Sequence, residues 1–278
     1  MHKFQEEFLN LPTSSDKLSH HGYHRIYPWF LSHLRDQHVR LLEIGIDRSE
    51  SLRLWSSYFK GGLTLHGIDR DEKRFEDSRV TLHQVDQSDR AQLQSFVDKV
   101  GTSFDLIIDD GSHVPEHQLL TLKMLWPLLV PGGVYIVEDI ETSYWGPSSI
   151  YGYDFDARRQ EGNFIAQLAP TVSWVNKEFS GKSPADAGTT DSVDTVLRDV
   201  EVIAYGPNCV VLVKKDHSAF GAYYDREYRL RTSVMGRPSA VARTLRAVSE
   251  KGISGVLLHI RENGLIGTWR TLFGKRSR

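Results

Sequence analysis

The chain alternates between short, unbroken apolar runs and longer segments in which apolar residues recur every three or four positions. Unbroken runs suit strands covered on both faces, and they occur at residues 39–44, 63–68, 80–85, 104–108 and 134–137. Between them, residues 49–59 bring Leu52, Trp55, Ser56 and Phe59 to one helical face, and residues 90–100 do the same with Leu93, Phe96, Val97 and Val100. Residues 115–129 open on Pro115, which suits a first helical position. Two later runs, 200–205 and 209–213, flank Gly206-Pro207-Asn208 and predict an antiparallel hairpin. A helix is predicted over residues 22–35, with Tyr23, Tyr27, Phe30 and Leu34 on one face. Residues 146–156 read as a loop, 163–179 as a helix, and 181–194 as a mobile excursion. The predicted fold is therefore α/β: a doubly wound, mostly parallel, Rossmann-like sheet closed by an antiparallel hairpin. An N-terminal helical cover (1–38), a core (39–216) and a C-terminal extension (217–278) make up the expected organisation.

Composition changes this picture little. With 278 residues, 40% hydrophobic and 25% charged, the chain has an ordinary globular make-up, which excludes a disordered or fibrous protein. The net charge of −2 hides a polarity, however. Residues 226–278 hold 12 Lys+Arg against 3 Asp+Glu, leaving 22 against 33 in residues 1–225. An acidic body thus precedes a basic extension. No nucleic-acid partner is expected; the extension suits a subunit contact, a membrane surface or an anionic acceptor. Cys209 is the only cysteine, so an intrachain disulfide and a multi-cysteine zinc site are excluded. The first seven residues hold no apolar run of signal-peptide length. The most apolar stretch, near residues 128–137, is broken by Pro131-Gly132-Gly133, so no transmembrane segment and a cytoplasmic location are expected.

In a doubly wound sheet, ligands bind beyond the carboxyl ends of the strands. Gly45, just past the first run, lets the backbone approach a ligand. The dinucleotide pattern G-x-G-x-x-G fails there, because Asp47 stands where the second glycine belongs. Asp69, after the second run, suits a ribose diol or equally a helix N-cap. After the third run comes Asp86-Gln87-Ser88-Asp89, where Ser88 or Asp89 suits a cap and the Gln87 amide suits an adenine edge. A nucleoside without a pyrophosphate fits this set. The fourth run ends Asp109-Asp110-Gly111-Ser112-His113 and the fifth ends Glu138-Asp139. Neighbouring strands lie ~4.8 Å apart, which gathers Asp110, Glu138 and Asp139. Carboxylates at that range repel, and a hard cation such as Mg²⁺ resolves the repulsion. His113 stands within reach of anything on that cation, as a proton acceptor. Singly, each of these residues is more readily a turn, cap or loop residue; their convergence on adjacent strand ends favours chemistry. The spacing His113-x-x-x-His117 does not make a zinc site, since Pro115 opens a helix between them and a third ligand is missing.

These segments, with Ser51-Leu52-Arg53-Leu54-Trp55, Gly67-Ile68-Asp69 and the upstream Asp16-Lys17 and His21-Gly22-Tyr23, resemble the class I S-adenosylmethionine-dependent sugar O-methyltransferases of the macrocin and mycinamicin type. The likeness runs over about residues 15–215. It implies Mg²⁺ on Asp110, Glu138 and Asp139, with His113 as general base. It further implies that Glu43, Gly45 and Ser51 hold the methionine part of S-adenosylmethionine, Asp69 its ribose, Gln87 its adenine region, and that Asp109 helps near the amine or sulfonium. Ser49 departs from the pattern, which often has a second glycine there. A sugar, polysaccharide or glycoside acceptor and a homo-oligomer are implied as partners. Tyr23, Tyr27, Trp29, Tyr144 and Trp145 form a candidate acceptor wall, although Tyr27 and Trp29, at helical spacing, suit a core better; Tyr144 and Trp145, directly after the fifth run, are the favoured lid or acceptor residues. Rival readings are a catechol-type O-methyltransferase and a degenerate cofactor-binding subunit; Asp110, His113, Glu138 and Asp139 together argue against the second.

Overall fold

The computed structural model of the chain describes residues 2–159, 162–176 and 193–216. The basic extension from 217 onward, and residues 181–192 of the expected excursion, lie outside the described residues. In chain order the strands are β1 (Val39–Ile44), β2 (Leu63–Asp69), β3 (Val80–Gln84), β4 (Phe104–Asp109), β5 (Leu129–Glu138), β6 (Pro147–Ile150), β7 (Tyr153–Asp156), β8 (Val200–Gly206) and β9 (Cys209–Lys214). Seven of them form one sheet in the order β3-β2-β1-β4-β5-β9-β8. The first five are parallel and β9 joins β5 antiparallel, so the predicted hairpin does close the sheet. From β1 the chain moves outward to β2 and β3, then returns to place β4 on β1's other side. The strand order therefore reverses between β1 and β4, where a crevice opens beyond the strand ends.

Both faces of this sheet are covered, which explains the unbroken apolar runs. Leu42, Ile44, Ile107, Tyr135 and Val137 enter one core, while Leu41, Leu65, Leu106, Ile108 and Ile136 enter the other with Trp55 and Tyr27. The helices α4 (Glu50–Tyr58), α5 (Arg90–Val100) and α6 (Pro115–Leu125) follow the predicted segments. Asp89 caps α5, its side chain accepting from Ala91 N at 2.8 Å and Gln92 N at 3.2 Å. In β5 the residues Pro131-Gly132-Gly133 bulge out between Leu129, paired with Phe104, and Val134, paired with Leu106. Among the described residues no helix is long and apolar enough to cross a membrane.

Four stretches differ from the sequence expectation, and proline or glycine accounts for most of the difference. Residues 22–35 are not one helix. Gly22 is left-handed (φ 69°), a 3₁₀ turn covers Tyr23–Arg25, and α3 (Tyr27–Leu31) begins only where Pro28 can sit in a first turn. Residues 163–176 form two helices, Phe164–Leu168 and Thr171–Val175, parted at Pro170. Pro127 ends α6 early and leaves a 3₁₀ turn, Trp126–Leu128. Residues 146–156 form a hairpin, β6–β7, rather than a loop. Its turn residues Tyr151 (φ 51°) and Gly152 (φ 85°) are both left-handed, as a two-residue primed turn requires. Two short helices of the cover, α1 (Lys3–Leu9) and α2 (Asp16–Ser19), had no periodic signal long enough to predict them.

Ile136 lies on β5, between β4 and β9, and is fully buried. Truncation there leaves a cavity that two flanking strands hold open. Ile136→Ala is expected to lower unfolding stability by about 2–5 kcal/mol and Ile136→Val by about 0.5–1.5 kcal/mol, measured as urea midpoints at constant slope.

Candidate active site

A cleft of about 480 Å³ opens at the carboxyl ends of the parallel strands, and Gly45, Asp69, Gln87, Asp110, His113 and Asp139 are on its wall. Register explains their convergence: Ile44 pairs with both Ile68 and Asp109, and Asp109 pairs with Val137. The residues just beyond these pairs come out level at one rim. The backbone there is tight. A Cβ on Gly45 (φ 84°) would stand 2.0 Å from the Asp110 carbonyl oxygen, and one on Gly111 would stand 1.9 Å from Gln87 Oε1. Asp47, Ser49, His113, Asp139 and Tyr151 are all left-handed without being glycine, and four of these five line the cleft. Strain of this kind persists where surrounding structure over-determines it, and it gathers at functional rims. Ser49 (φ 65°) occupies the position where the resembled family often has glycine, the residue that this conformation favours.

The acidic residues divide into two groups. Asp110, His113 and Asp139 each offer a ligating atom, and these atoms lie within 4.8 Å of one another. His113 Nε2 is 3.6 Å from Asp139 Oδ2, while its Nδ1 is enclosed without a hydrogen-bond partner. The Thr142 hydroxyl donates to the His113 carbonyl at 2.6 Å and holds the strained residue. Glu138, by contrast, is turned inward. Lys17 Nζ donates to its Oε1 and Oε2 at 2.8 and 2.9 Å, the Tyr27 hydroxyl donates to Oε1, and the residue is absent from the cleft wall. The structure thus brings Asp110 and Asp139 together with His113, and gives Glu138 a cation of the chain's own.

The residues expected around a cofactor also separate. Gly45, Asp69 and Gln87 face the cleft; Glu43, Ser51 and Asp109 are buried and are not on its wall. Glu43 accepts from Ser51 Oγ at 2.9 Å and from Trp55 Nε1 at 3.2 Å. Burial, partly offset by Lys17, pushes its carboxyl up to about 7. Asp69 does not cap a helix; its Oδ2 accepts from Ile46 N (3.0 Å) and Asp47 N (3.3 Å), and its Oδ1 from Asp71 N (2.9 Å). It therefore shapes the loop after β1 while facing the cleft. Gln87 ties two strand ends together, donating to Asp109 Oδ1 at 3.1 Å and accepting from Ser112 N at 2.5 Å. Asp109 also accepts from the Thr121 hydroxyl, and burial pushes its carboxyl up to about 6.

The N-terminal cover supplies groups to which the sequence reading had assigned no such role. The Lys17 side chain is 1% exposed, with Nζ 2.5 Å from Asp110 Oδ2 and 3.6 Å from Glu43 Oε1 besides its bonds to Glu138. Burial opposes its charge, but Asp110, Glu138 and Glu43 together hold its pKa well above the usual lysine value, so it stays protonated. His21 Nδ1 is 3.1 Å from Asp139 Oδ1, and the Tyr23 hydroxyl donates to that oxygen at 2.9 Å. Tyr23 and Tyr27 are fully buried, stacked on one another at 5.1 Å between ring centroids. This corrects their placement in an acceptor wall: their rings belong to the core and their hydroxyls to the carboxylates. Trp29 packs on Phe4 and His2 at the surface. Tyr144, 73% exposed, and Trp145 do face solvent, joined by Tyr151, 58% exposed, which the sequence reading had not singled out. His117 lies 2.9 Å (Nδ1) from Ser112 Oγ, outside the metal-competent group.

Residues 20–140 match the family described as Methyltransferase domain. The 8-demethyl-8-alpha-L-rhamnosyl tetracenomycin-C 2'-O-methyltransferase of Streptomyces olivaceus is 35% identical over 221 residues, covering 77% of this chain and 55% of that protein. The mycinamicin VI 2''-O-methyltransferase of Micromonospora griseorubida is 37% identical over 172 residues, 58% of this chain and 42% of that protein. A solved structure of MycE methyltransferase from the mycinamycin pathway, in complex with Mg, SAH and mycinamycin VI, superposes with a TM-score of 0.58 at 28% identity, covering 72% of this chain and 50% of that one. The chain thus carries a methyltransferase domain over residues 20–140 and resembles the macrocin and mycinamicin O-methyltransferases. It spans about half the length of the curated relatives it matches. The cleft lies at the switch point of the sheet, where a doubly wound fold binds its ligand.

The raised carboxyl of Asp109 gives the domain a pH signature. An aspartate at 3.8 when unfolded and about 6 when folded contributes stability that is full below pH ~4 and is lost as the pH rises through 6. Asp109→Asn keeps the shape without the charge. The wild type is expected to lose on the order of 2 kcal/mol more than the variant between pH 4 and 7, read from urea midpoints at each pH. Parallel pH profiles for the two proteins would place that proton elsewhere.

Proposed function

We propose that this chain transfers a methyl group from S-adenosylmethionine to a hydroxyl of a sugar or glycoside, with Mg²⁺ bound and His113 as general base. The observation that carries this reading is the Asp110–His113–Asp139 group on the wall of a cleft at the switch point. Two carboxylates beside one imidazole suit a hard divalent cation and a proton acceptor in the same place. Bound there, Mg²⁺ supplies positive charge that acidifies an adjacent hydroxyl. S-adenosylmethionine brings its methyl on a sulfonium, an activated leaving group, so a covalent enzyme intermediate is not required.

The chain's own residues then have defined tasks. His113 Nε2 takes the hydroxyl proton as the new O–CH₃ bond forms and the S–CH₃ bond breaks. Asp139 places its Oδ2 3.6 Å from that nitrogen. Gly45 leaves room for the methionine part, Asp69 faces the ribose and Gln87 the adenine region. Glu43, Ser51 and Asp109 act from behind the wall, holding the loops that carry those contacts. The exposed rings of Tyr144, Trp145 and Tyr151 offer faces for a sugar. Support for a glycoside acceptor comes from the relatives, which are named for O-methylation of a rhamnosyl tetracenomycin-C and of mycinamicin VI. In this reading residues 39–216 are the catalytic core, residues 1–38 its cover and residues 217–278 a basic extension. The enzyme works in the cytoplasm, which suits its buried lone thiol, and as a homo-oligomer, as the family resemblance implies.

A methyl-transfer screen over monosaccharides and polyketide glycosides, with Mg²⁺ and with excess chelator, tests the reading. Chelator is expected to abolish turnover. His113→Ala is expected to lower kcat by about 10²–10⁴-fold while S-adenosylhomocysteine still raises the melting temperature. Full activity in chelator, or in the variant, would overturn the respective assignment.

A further inference from the structure

Lys17 stands where a cation would be wanted. Its ammonium touches Asp110 Oδ2 and both oxygens of Glu138, and Glu43 Oε1 lies 3.6 Å away. The side chain comes from α2, a helix of only four residues in the cover, and reaches the strand ends from outside the sheet. Two of the three carboxylates that the family resemblance assigns to Mg²⁺, Asp110 and Glu138, are thus bound by one ammonium. The third, Asp139, is held by neutral donors, Tyr23 OH at 2.9 Å and Asn208 Nδ2 at 2.8 Å, with His21 alongside.

From this we infer that the Lys17 ammonium and a divalent cation compete for the oxygens of Asp110 and Glu138, so that Lys17 is a positioning residue that sets how tightly the site takes its metal. The inference rests on the metal-dependent reading above. Its physical basis is geometric: a single ammonium lies among the oxygens of Asp110 and Glu138, with Glu43 3.6 Å away, so a cation taken up by those two carboxylates has to share their oxygens with it. Nζ and a divalent ion nevertheless repel at ligand-sharing distance in a buried setting. Without metal the ammonium keeps the carboxylates gathered; with metal it must give up at least part of its grip. A purely structural lysine predicts the reverse, since its loss would only scatter the ligands.

Mn²⁺ titrations followed by the electron paramagnetic resonance signal of free Mn²⁺ separate these cases, using wild type, Lys17→Met and Asp139→Asn. Lys17→Met is expected to bind Mn²⁺ at least about tenfold more tightly than wild type. Its metal-free melting temperature should fall, and saturating Mn²⁺ should raise it by more than it raises the wild type. Equal or weaker Mn²⁺ binding by Lys17→Met overturns the inference. A variant that stays unfolded even in saturating Mn²⁺ overturns it too, because a divalent ion then does not replace the ammonium. Wild-type binding that Asp139→Asn abolishes keeps the metal reading standing whichever way Lys17→Met falls, whereas wild type that binds no Mn²⁺ removes both.

Discussion

Parallel pairing of β1, β4 and β5 delivers Glu43, Asp109, Asp110, Glu138 and Asp139 to the same end of one sheet, and their mutual repulsion is the constraint around which the site is arranged. Each is relieved differently. Asp109 is bound by Thr121 and Gln87, Glu43 by Ser51 and Trp55, and Asp139 by Tyr23 and Asn208. Asp110 and Glu138 receive the full positive charge of Lys17, which also lies 3.6 Å from Glu43. Removing one partner of a buried charged cluster is far more destabilising than the cluster is stabilising, so these relieving contacts are as necessary as the strands themselves.

That requirement explains why the N-terminal cover is part of the site. Its apolar side closes one face of the sheet, through Phe8, Tyr23, Tyr27 and Leu31. Its polar atoms meet the carboxylates. The stacked rings of His21, Tyr23, Tyr27 and Trp55 run between the two tasks, apolar in their faces and donating at their edges. Aromatic residues that a periodicity argument assigns to core, and a sugar-binding argument assigns to a wall, are here core residues with working hydroxyls.

Another part of the cleft wall is built by backbone geometry. The β6–β7 hairpin brings Ile150, Tyr151 and Tyr153 to the wall. Tyr153 OH donates to Asp86 at 3.0 Å and Arg70 donates to the Tyr151 carbonyl at 2.7 Å, which fixes the hairpin to the ends of β2 and β3. Acidic and aromatic groups thus share one cleft wall, the Tyr151 ring lying 5.7 Å from that of His113 between centroids.

The parallel core was legible in the sequence because burial on both faces writes each strand as an unbroken apolar run, and because helical periodicity between the runs admits few topologies. The candidate site was legible as a set of strand-end residues for the same reason: Gly45, Asp69, Gln87, Asp110, His113 and Asp139 all follow a run directly. What a linear pattern does not carry is which carboxylate meets which partner. Glu138 and Asp139 are adjacent in the chain, yet the left-handed turn at Asp139 sends one side chain inward to Lys17 and leaves the other at the cleft. Lys17 lies 93 residues from Asp110 and 121 from Glu138, so only the packing of the cover on the sheet brings them together. The hairpin over the cleft was hidden as well, since its short strands bear no apolar run and its identity rests on two left-handed turn residues. The chemical types present at the rim were thus determined locally, by residues near strand ends, whereas their pairing was decided by long-range contacts, because charge and hydrogen bonding act through space and not along the chain.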